Sequence, residues 1–228
     1  MKKSIGFVAC LLGFVLSILF GVLAAVHIVG TDAELYHELQ MKANVLNRAG
    51  ISEADLIRLD KGLAQYLRGN AAALDMEAEV FGTIQSAFNE KERMHMEDCF
   101  DLFVLLRTAI RVSSIAGSLL LTLGCVLLGN ARKKIRNAAW LAPLAIVVPL
   151  GLLAGWAVID FNAAFNFFHE ILFTNDLWLL NAATDLLIRI CPASMFMAMG
   201  TRIGLIGLAW AIFVPALATV LTAKKERA

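Results

Sequence analysis

Residues 119–150 read LLLTLGCVLLGNARKKIRNAAWLAPLAIVVPL, and this stretch decides the fold. Two apolar blocks flank a short loop that carries Arg132, Lys133, Lys134 and Arg136. Followed outward, the blocks extend over about residues 103–128 and 138–160. Both reach the roughly 20 apolar residues a helix needs to cross a hydrocarbon core. Cations concentrated in a short loop between two spans place that loop in the cytoplasm.

Working outward, two further apolar segments complete the pattern, at 5–29 and about 200–222. Lys2 and Lys3 precede the first; Lys224, Lys225 and Arg227 follow the last, opposed only by Glu226. With four spans, all three basic clusters fall on one side, so both termini are expected in the cytoplasm. The first run is longer than the roughly 7–15 residue core of a cleaved signal peptide and reads as a retained signal-anchor helix. Pro143, Pro149 and Pro215 are tolerable inside spans, where neighbouring helices satisfy freed backbone groups. Hydrophobic residues make up 59% of the 228, with a mean hydropathy of +0.72. A soluble domain of this size needs far more polar surface. The net charge of +1 argues against a nucleic-acid partner.

The expected class is therefore an all-α membrane protein with four transmembrane helices. The divisions are a first transmembrane helix (1–29), an extracytoplasmic cap (30–100), a second transmembrane helix (101–129), a basic cytoplasmic loop (130–137), a third transmembrane helix (138–160), an extracytoplasmic interfacial segment (161–198), and a fourth transmembrane helix with a cytoplasmic tail (199–228). The cap reads as mostly helical. Leu35, Leu39 and Leu46 keep roughly helical spacing up to a break at Ala49-Gly50. Ser52 and Asp55 resemble a capping box, followed by Leu56, Leu59, Leu63 and Leu67 on one face. The segment 161–198 is too polar for a span and too aromatic for a free loop, which suits short helices at the membrane interface. Cys10 and Cys125 sit in apolar runs as packing residues. Cys99 and Cys191 fall in the outer segments, which leaves a disulfide between them open.

Four histidines occur. His27 ends the first span and His37 lies in the first cap helix, and both have bland readings. His95 lies in FNEKERMHMEDCFDLF (88–103). Asn89 is a good N-cap and Glu92 follows three residues on, so a helix begins here and runs into the second span. Glu92, His95, Asp98 and Cys99 then share a face, with His95 about 12 Å above residue 103, at headgroup depth. Either Glu92 only caps the helix and His95 is a surface residue, or the four belong to a site. Asn162, Asn166 and His169 form a polar stripe on an aromatic helix, which implies a hydrogen-bonded network or a site. The sequence lacks an HExxH pair, a GxSxG elbow and a Walker A loop, and Glu92-x-x-His95 has no second copy to build a di-iron centre. No metal or cofactor is expected. Two histidines and several carboxylates at the outer face suit acid–base chemistry on a lipid-borne substrate.

Two stretches resemble the signatures of a known family. FNEKERMHMEDCFDLF resembles "F-x-x-R-E-x-x-H-M-x-D-V". DFNAAFNFFHEILFTNDLWLLNAATDLLIRICPASMF (160–196) resembles "D-F-x-x-x-F-x-x-F-H-x-x-x-F-x-N-x-x-W-x-x-D-P-x-x-D-x-L-I-x-x-x-P-x-x-F-F". Both belong to the bacterial lipoprotein intramolecular transacylases. Lys91 stands where the family usually has Arg, and Cys99 where Val is common. Asn181-Ala182 replaces an Asp-Pro step, and Ser194-Met195 differs before Phe196. Both histidines, Asp98, Trp178 and Asp185 are retained.

The resemblance implies an internal acyl shift: the sn-2 chain of a diacylglyceryl lipoprotein moves to the α-amine of its N-terminal cysteine, giving the lyso-form, without a second lipid donor. His95 and His169 are the expected catalytic pair, with the roles of acid and base open. Glu92 or Asp98 would hold His95 in one tautomer, and Asn162 or Asn166 would donate to the oxyanion. Trp178 and Asp185 are supporting residues. Arg107 and Arg111 would contact phospholipid or substrate, or simply snorkel to the interface. The expected partners are a diacylated lipoprotein and membrane lipid, with the oligomeric state open. The rival readings are a non-enzymatic envelope sensor or partner-binding protein, and a hydrolase using water as acceptor.

Overall fold

The computed structural model describes residues 1–70 and 74–224, with side chains up to Ala223. Lys225, Glu226 and Arg227 of the basic tail lie outside the described residues. Among the described residues, four helices are long and apolar enough to cross a membrane: α1 (Lys2–Val29), α5 (Glu90–Leu128), the nearly continuous pair α6 (Arg132–Leu141) and α7 (Leu144–Ile159), and α10 (Ala193–Lys224). Seven of the twelve residues from Glu90 to Asp101 are charged, a density the hydrocarbon does not admit. The part of α5 that can cross is therefore 102–128.

The chain forms two compact units. One comprises Met1–Val26, Leu106–Asp160 and, of the described residues, 203–224. Its core joins Cys10, Phe14 and Ile18 of α1 to Leu128, to Ala138 and Ala139 of α6, and to Ala211 and Val214 of α10. Lipid tails offer helices no hydrophobic drive to associate, so close backbone approach matters. A Cβ at Gly124 would lie 2.6 Å from the Cys10 nitrogen, and one at Gly13 2.8 Å from Leu121. Trp210 packs over Gly21 and donates its indole N–H to the Ser17 carbonyl at 2.9 Å. No residue of α7 is buried within the protein, as befits an apolar helix facing lipid.

The second unit comprises His27–Leu105 and Phe161–Arg202. In α2 (Ala33–Lys42), Asp32 caps the start by accepting from the Glu34 and Leu35 amides. The single helix expected up to Ala49-Gly50 is broken earlier: Asn44 adopts a left-handed conformation at φ 55°, which Asn tolerates, and α3 (Val45–Ala49) follows. Ser52 Oγ accepts from the Asp55 amide at 3.1 Å to begin α4 (Glu53–Arg68), whose Leu56, Leu59, Leu63 and Leu67 are all buried. An antiparallel hairpin follows, β1 (Glu77–Val80) with β2 (Thr83–Ser86), in register Val80 to Thr83. Phe81 and Gly82 at its tip both have positive φ, as a two-residue hairpin turn demands. The aromatic segment folds as α8 (Phe161–Leu172) and α9 (Leu186–Ile190). Beyond Pro192, α10 already begins at Ala193, so the last residues of the expected interfacial segment are continuous with the fourth span. All four cysteines are free, which corrects the disulfide left open above: Cys99 turns its sulfur to the His95 ring instead.

Candidate active site

The helical start of α5 is fixed by a reciprocal capping box. The Glu92 amide donates to Asn89 Oδ1 at 3.0 Å, and the Asn89 amide donates to Glu92 Oε2 at 2.8 Å. Glu92 also does more. Its other oxygen, Oε1, accepts the Leu187 amide of α9 at 2.5 Å. Asn89 Nδ2 donates to Asp185 Oδ1 at 2.9 Å, and Asp185 further accepts from the Asn181 amide at 2.7 Å and the Thr184 hydroxyl at 2.7 Å. The starts of α5 and α9, almost a hundred residues apart, are thus clasped together. Glu92 is 1% exposed and Asp185 4%. Burial pushes the Glu92 pKa up, more than the amides of Leu187 and Asn89 pull it down. At Asp185 burial is outweighed by bonds from Asn181, Thr184 and Asn89 and by the Lys91 charge, so its pKa stays below the ordinary value.

One turn along α5 stands His95. Its ring centroid is 6.3 Å from that of His169 on α8, with the planes tilted by 35°. Both are buried, at 8% and 9% exposure. The walls are aromatic. Phe173 lies edge-on to His95 at 5.1 Å and 5.6 Å from His169; Trp178 lies 4.9 Å and Phe165 4.1 Å from His169. His169 Nδ1 is 2.7 Å from the Phe165 carbonyl. A carbonyl only accepts, so Nδ1 bears the proton, and neutral His169 presents its lone pair at Nε2. His95 differs. Its Nε2 faces the Cys99 sulfur at 3.7 Å, and its Nδ1 is buried with no hydrogen-bond partner among the described residues.

Burial lowers both pKa values, because an imidazolium loses its hydration there. For His95, burial and then the neighbouring His169 bring it down to about 4, against an opposing pull from Asp98. For His169 burial outweighs the bond to Phe165. Both rings are neutral at pH 7, the state in which imidazole accepts a proton.

The other candidates are placed as follows. Neither Glu92 nor Asp98 hydrogen-bonds His95 among the described residues: Glu92 is engaged in the clasp, and Asp98 Oδ2 accepts from Asn175 Nδ2 at 2.9 Å. Asn162 and Asn166 are exposed on α8. Arg107 and Arg111 belong to the unit of spans. Phe165 and Phe173, four residues either side of His169, escaped the sequence reading although their helical spacing announces a stacked column. Lys91, marked in the sequence only as a departure from the family pattern, donates its ammonium to the Leu179 carbonyl at 2.6 Å and anchors the loop that carries Trp178.

Compared with known proteins, the chain matches the profile of the family "Lipoprotein intramolecular transacylase Lit" over residues 11–196. Among solved structures it is similar to the membrane integral lipoprotein intramolecular transacylase Lit from Bacillus cereus. The TM-score is 0.71 at 19% identity, over 99% of this chain and 98% of that one. A histidine-to-arginine variant of the same protein gives a TM-score of 0.71 at 20% identity, over 99% and 93%. No match was found among curated proteins.

Proposed function

Because this chain belongs to the lipoprotein intramolecular transacylase family, and is thus a multi-pass membrane acyltransferase, we propose that His95 and His169 carry its acyl shift at the extracytoplasmic face. Both termini would lie in the cytoplasm, as the three basic clusters require. The observation that supports this reading best is the pair of neutral histidine rings 6.3 Å apart in an aromatic enclosure, one with a fixed lone pair and the other with an unmet nitrogen.

The substrate on this reading is a lipoprotein with diacylglycerol on the sulfur of its N-terminal cysteine. Its α-amine, with a pKa near 8, is mostly protonated at pH 7, and one proton must leave before attack. The amine nitrogen then bonds to the carbonyl carbon of the sn-2 ester, and the carbon–oxygen bond to glycerol breaks. The second proton shed by the attacking nitrogen ends on the departing glycerol oxygen, so apart from the proton the ammonium released beforehand nothing is gained or lost. His169 suits the acceptor role, since its bond to Phe165 presents Nε2 with a free lone pair. His95, with Nδ1 unpartnered, suits the hydrogen bond to the leaving oxygen or the forming oxyanion. Much of the acceleration comes from folding one molecule so that its own amine meets its own ester.

Mass spectrometry of the N-terminal lipopeptide, from cells making only diacylated lipoprotein, tests the proposal. The expected result is a mass-neutral move of one acyl chain from glycerol to nitrogen, abolished by His95→Ala and by His169→Ala. Release of free fatty acid instead would make the protein a hydrolase. An unchanged lipid profile in both variants would leave the histidines without a catalytic role.

A further inference from the structure

Beside the histidine pair lies a groove of about 250 Å³, lined by Asp98, Asp101, Leu102 and Leu105 on α5 and by Leu172, Phe173, Thr174 and Asn175 at the end of α8. Phe173 is common to the groove and to the enclosure of both histidines. The α5 wall has an order to it. Residues 98, 101, 102 and 105 follow the spacing i, i+3, i+4, i+7 and so form one stripe of the helix. The stripe is acidic for its first turn and apolar for the second, and it turns apolar where the crossing part of α5 begins. One turn before Asp98 stands His95, with Nδ1 buried and unpartnered among the described residues.

From this arrangement, and on the acyl-transfer reading above, we infer that the groove is the subsite for the substrate's charged N-terminus. Asp98 and Asp101 receive the α-ammonium, and Leu102, Leu105, Leu172 and Phe173 receive the first methylenes of an acyl chain. A diacylglyceryl cysteine offers the same sequence of polarity over the same distance: a cation, then ester and thioether, then hydrocarbon entering lipid. Asn175 supports this use of Asp98, since its amide engages Oδ2 and holds the carboxylate in place. The subsite explains how a reaction with no second substrate selects its starting material. A lipoprotein whose amine is already acylated carries no cation and loses the carboxylates as partners.

The test uses full-length enzyme in lipid nanodiscs, converting a diacyl lipopeptide with a free amine, against two unreactive competitors. One carries an N,N-dimethyl terminus, which keeps the charge; the other carries an N-acetyl terminus, which removes it. A charged hydrogen bond supports a preference of roughly tenfold or more. The charged competitor should therefore inhibit wild type at least about tenfold more tightly. The Asp98→Asn, Asp101→Asn double variant should treat both alike. Asp101→Asn alone, which leaves the Asp98–Asn175 bond intact, should lessen the preference and raise KM several-fold with kcat nearly unchanged. Equal inhibition of wild type by the two competitors overturns the subsite, as does a preference undiminished in Asp101→Asn. In both cases wild type still moves the acyl chain. A wild-type enzyme that leaves the lipopeptide unaltered overturns the acyl-transfer reading and the subsite together.

Discussion

The clasp and the histidine pair sit a single turn apart on α5 and treat their polar atoms in opposite ways. In the clasp, Glu92 and Asp185 are nearly inaccessible, and between them they accept five hydrogen bonds, from the Asn89 amide, the Leu187 amide, the Asn89 side chain, the Asn181 amide and the Thr184 hydroxyl. At the histidines, also buried, the His95 Nδ1 has no partner among the described residues. A buried polar group without a partner costs stability, and a fully satisfied network contributes it. The difference separates a region built to hold two motifs together from one that keeps hydrogen-bonding capacity in reserve for a substrate. It also makes a strong demand: changes in the two regions should diverge in stability even where both reduce activity.

The largest effect should follow from the histidines. His95→Leu and His169→Leu are each expected to lower the rate of acyl transfer by about 10²–10⁴-fold, the usual contribution of a positioned proton-transfer group. For His95→Leu, the unfolding temperature in detergent should hold or rise, because an unpartnered polar atom has gone. Loss of folding in that variant would break the comparison, since His95 would then be structural. Glu92→Ala should behave in the reverse way. It strands the buried Leu187 amide and uncaps the Asn89 amide, together at a cost of about 2–4 kcal/mol, readable as a fall in chemical-denaturation midpoint. A clasp variant as stable as wild type would show that the two motifs are held by something other than these bonds.

What was legible in the sequence follows the range of the signal. The four spans rest on local apolar runs and on cations at their ends, so LLGNARKKIRNAAW (127–140) declares a helix hairpin without help from the rest of the chain. Asn89 and Glu92, Ser52 and Asp55 announce helix starts at a spacing of three. The break at Asn44 was less visible, because a left-handed Asn carries no mark that separates it from an Asn inside a helix. The approach of His95 to His169 spans 74 residues, and no period in the sequence encodes it; only the resemblance of both motifs to one family joined them. Nor could spacing reveal that Glu92 reaches across to the Leu187 amide. Its partner is a backbone group, identical in every residue but proline. The carboxylates expected to orient His95 were engaged elsewhere for the same reason, since what they bind depends on the chain brought opposite them.

The pH dependence of stability sharpens the comparison further. The His95 pKa is held near 4 when folded, against about 6.5 for an unfolded histidine. Between those values the unfolded chain binds the proton and the folded one does not, so stability is fully present above pH 6.5 and is lost as pH falls toward 4. His95 alone accounts for up to roughly 3 kcal/mol across that window, and His169 acts in the same direction. Asp60 opposes them: burial raises its pKa to about 7, against pulls from Gln40 and His37, so the native state takes up that proton early and gains stability as the medium becomes acidic. The two trends overlap in the whole protein. Subtracting the denaturation midpoints of His95→Gln from those of wild type cancels Asp60 and should leave a difference that grows in favour of the variant below pH 6.5. A flat difference would mean that His95 is hydrated and the enclosure is open.

The smallest expected effect belongs to Trp178, and it bears on how the enclosure works. Its ring lies 4.9 Å from His169 at a tilt of 31°, half-buried, on the loop that Lys91 anchors at Leu179. An aromatic contact of this kind is worth about 0.5–1.5 kcal/mol beyond its area. Trp178→Phe keeps an aromatic face against the imidazole and should lower the rate by only a few-fold with little change in KM. Trp178→Ala removes the face and admits water to the ring, so the His169 pKa should move back up toward its ordinary value. The acid limb of the pH–rate profile would shift to higher pH, while the clasp, and with it the denaturation midpoint above pH 7, changes by less than in Glu92→Ala. If Trp178→Ala lowers the midpoint as far as Glu92→Ala without moving the acid limb, Trp178 belongs with the clasp, and the division between holding and reacting runs elsewhere.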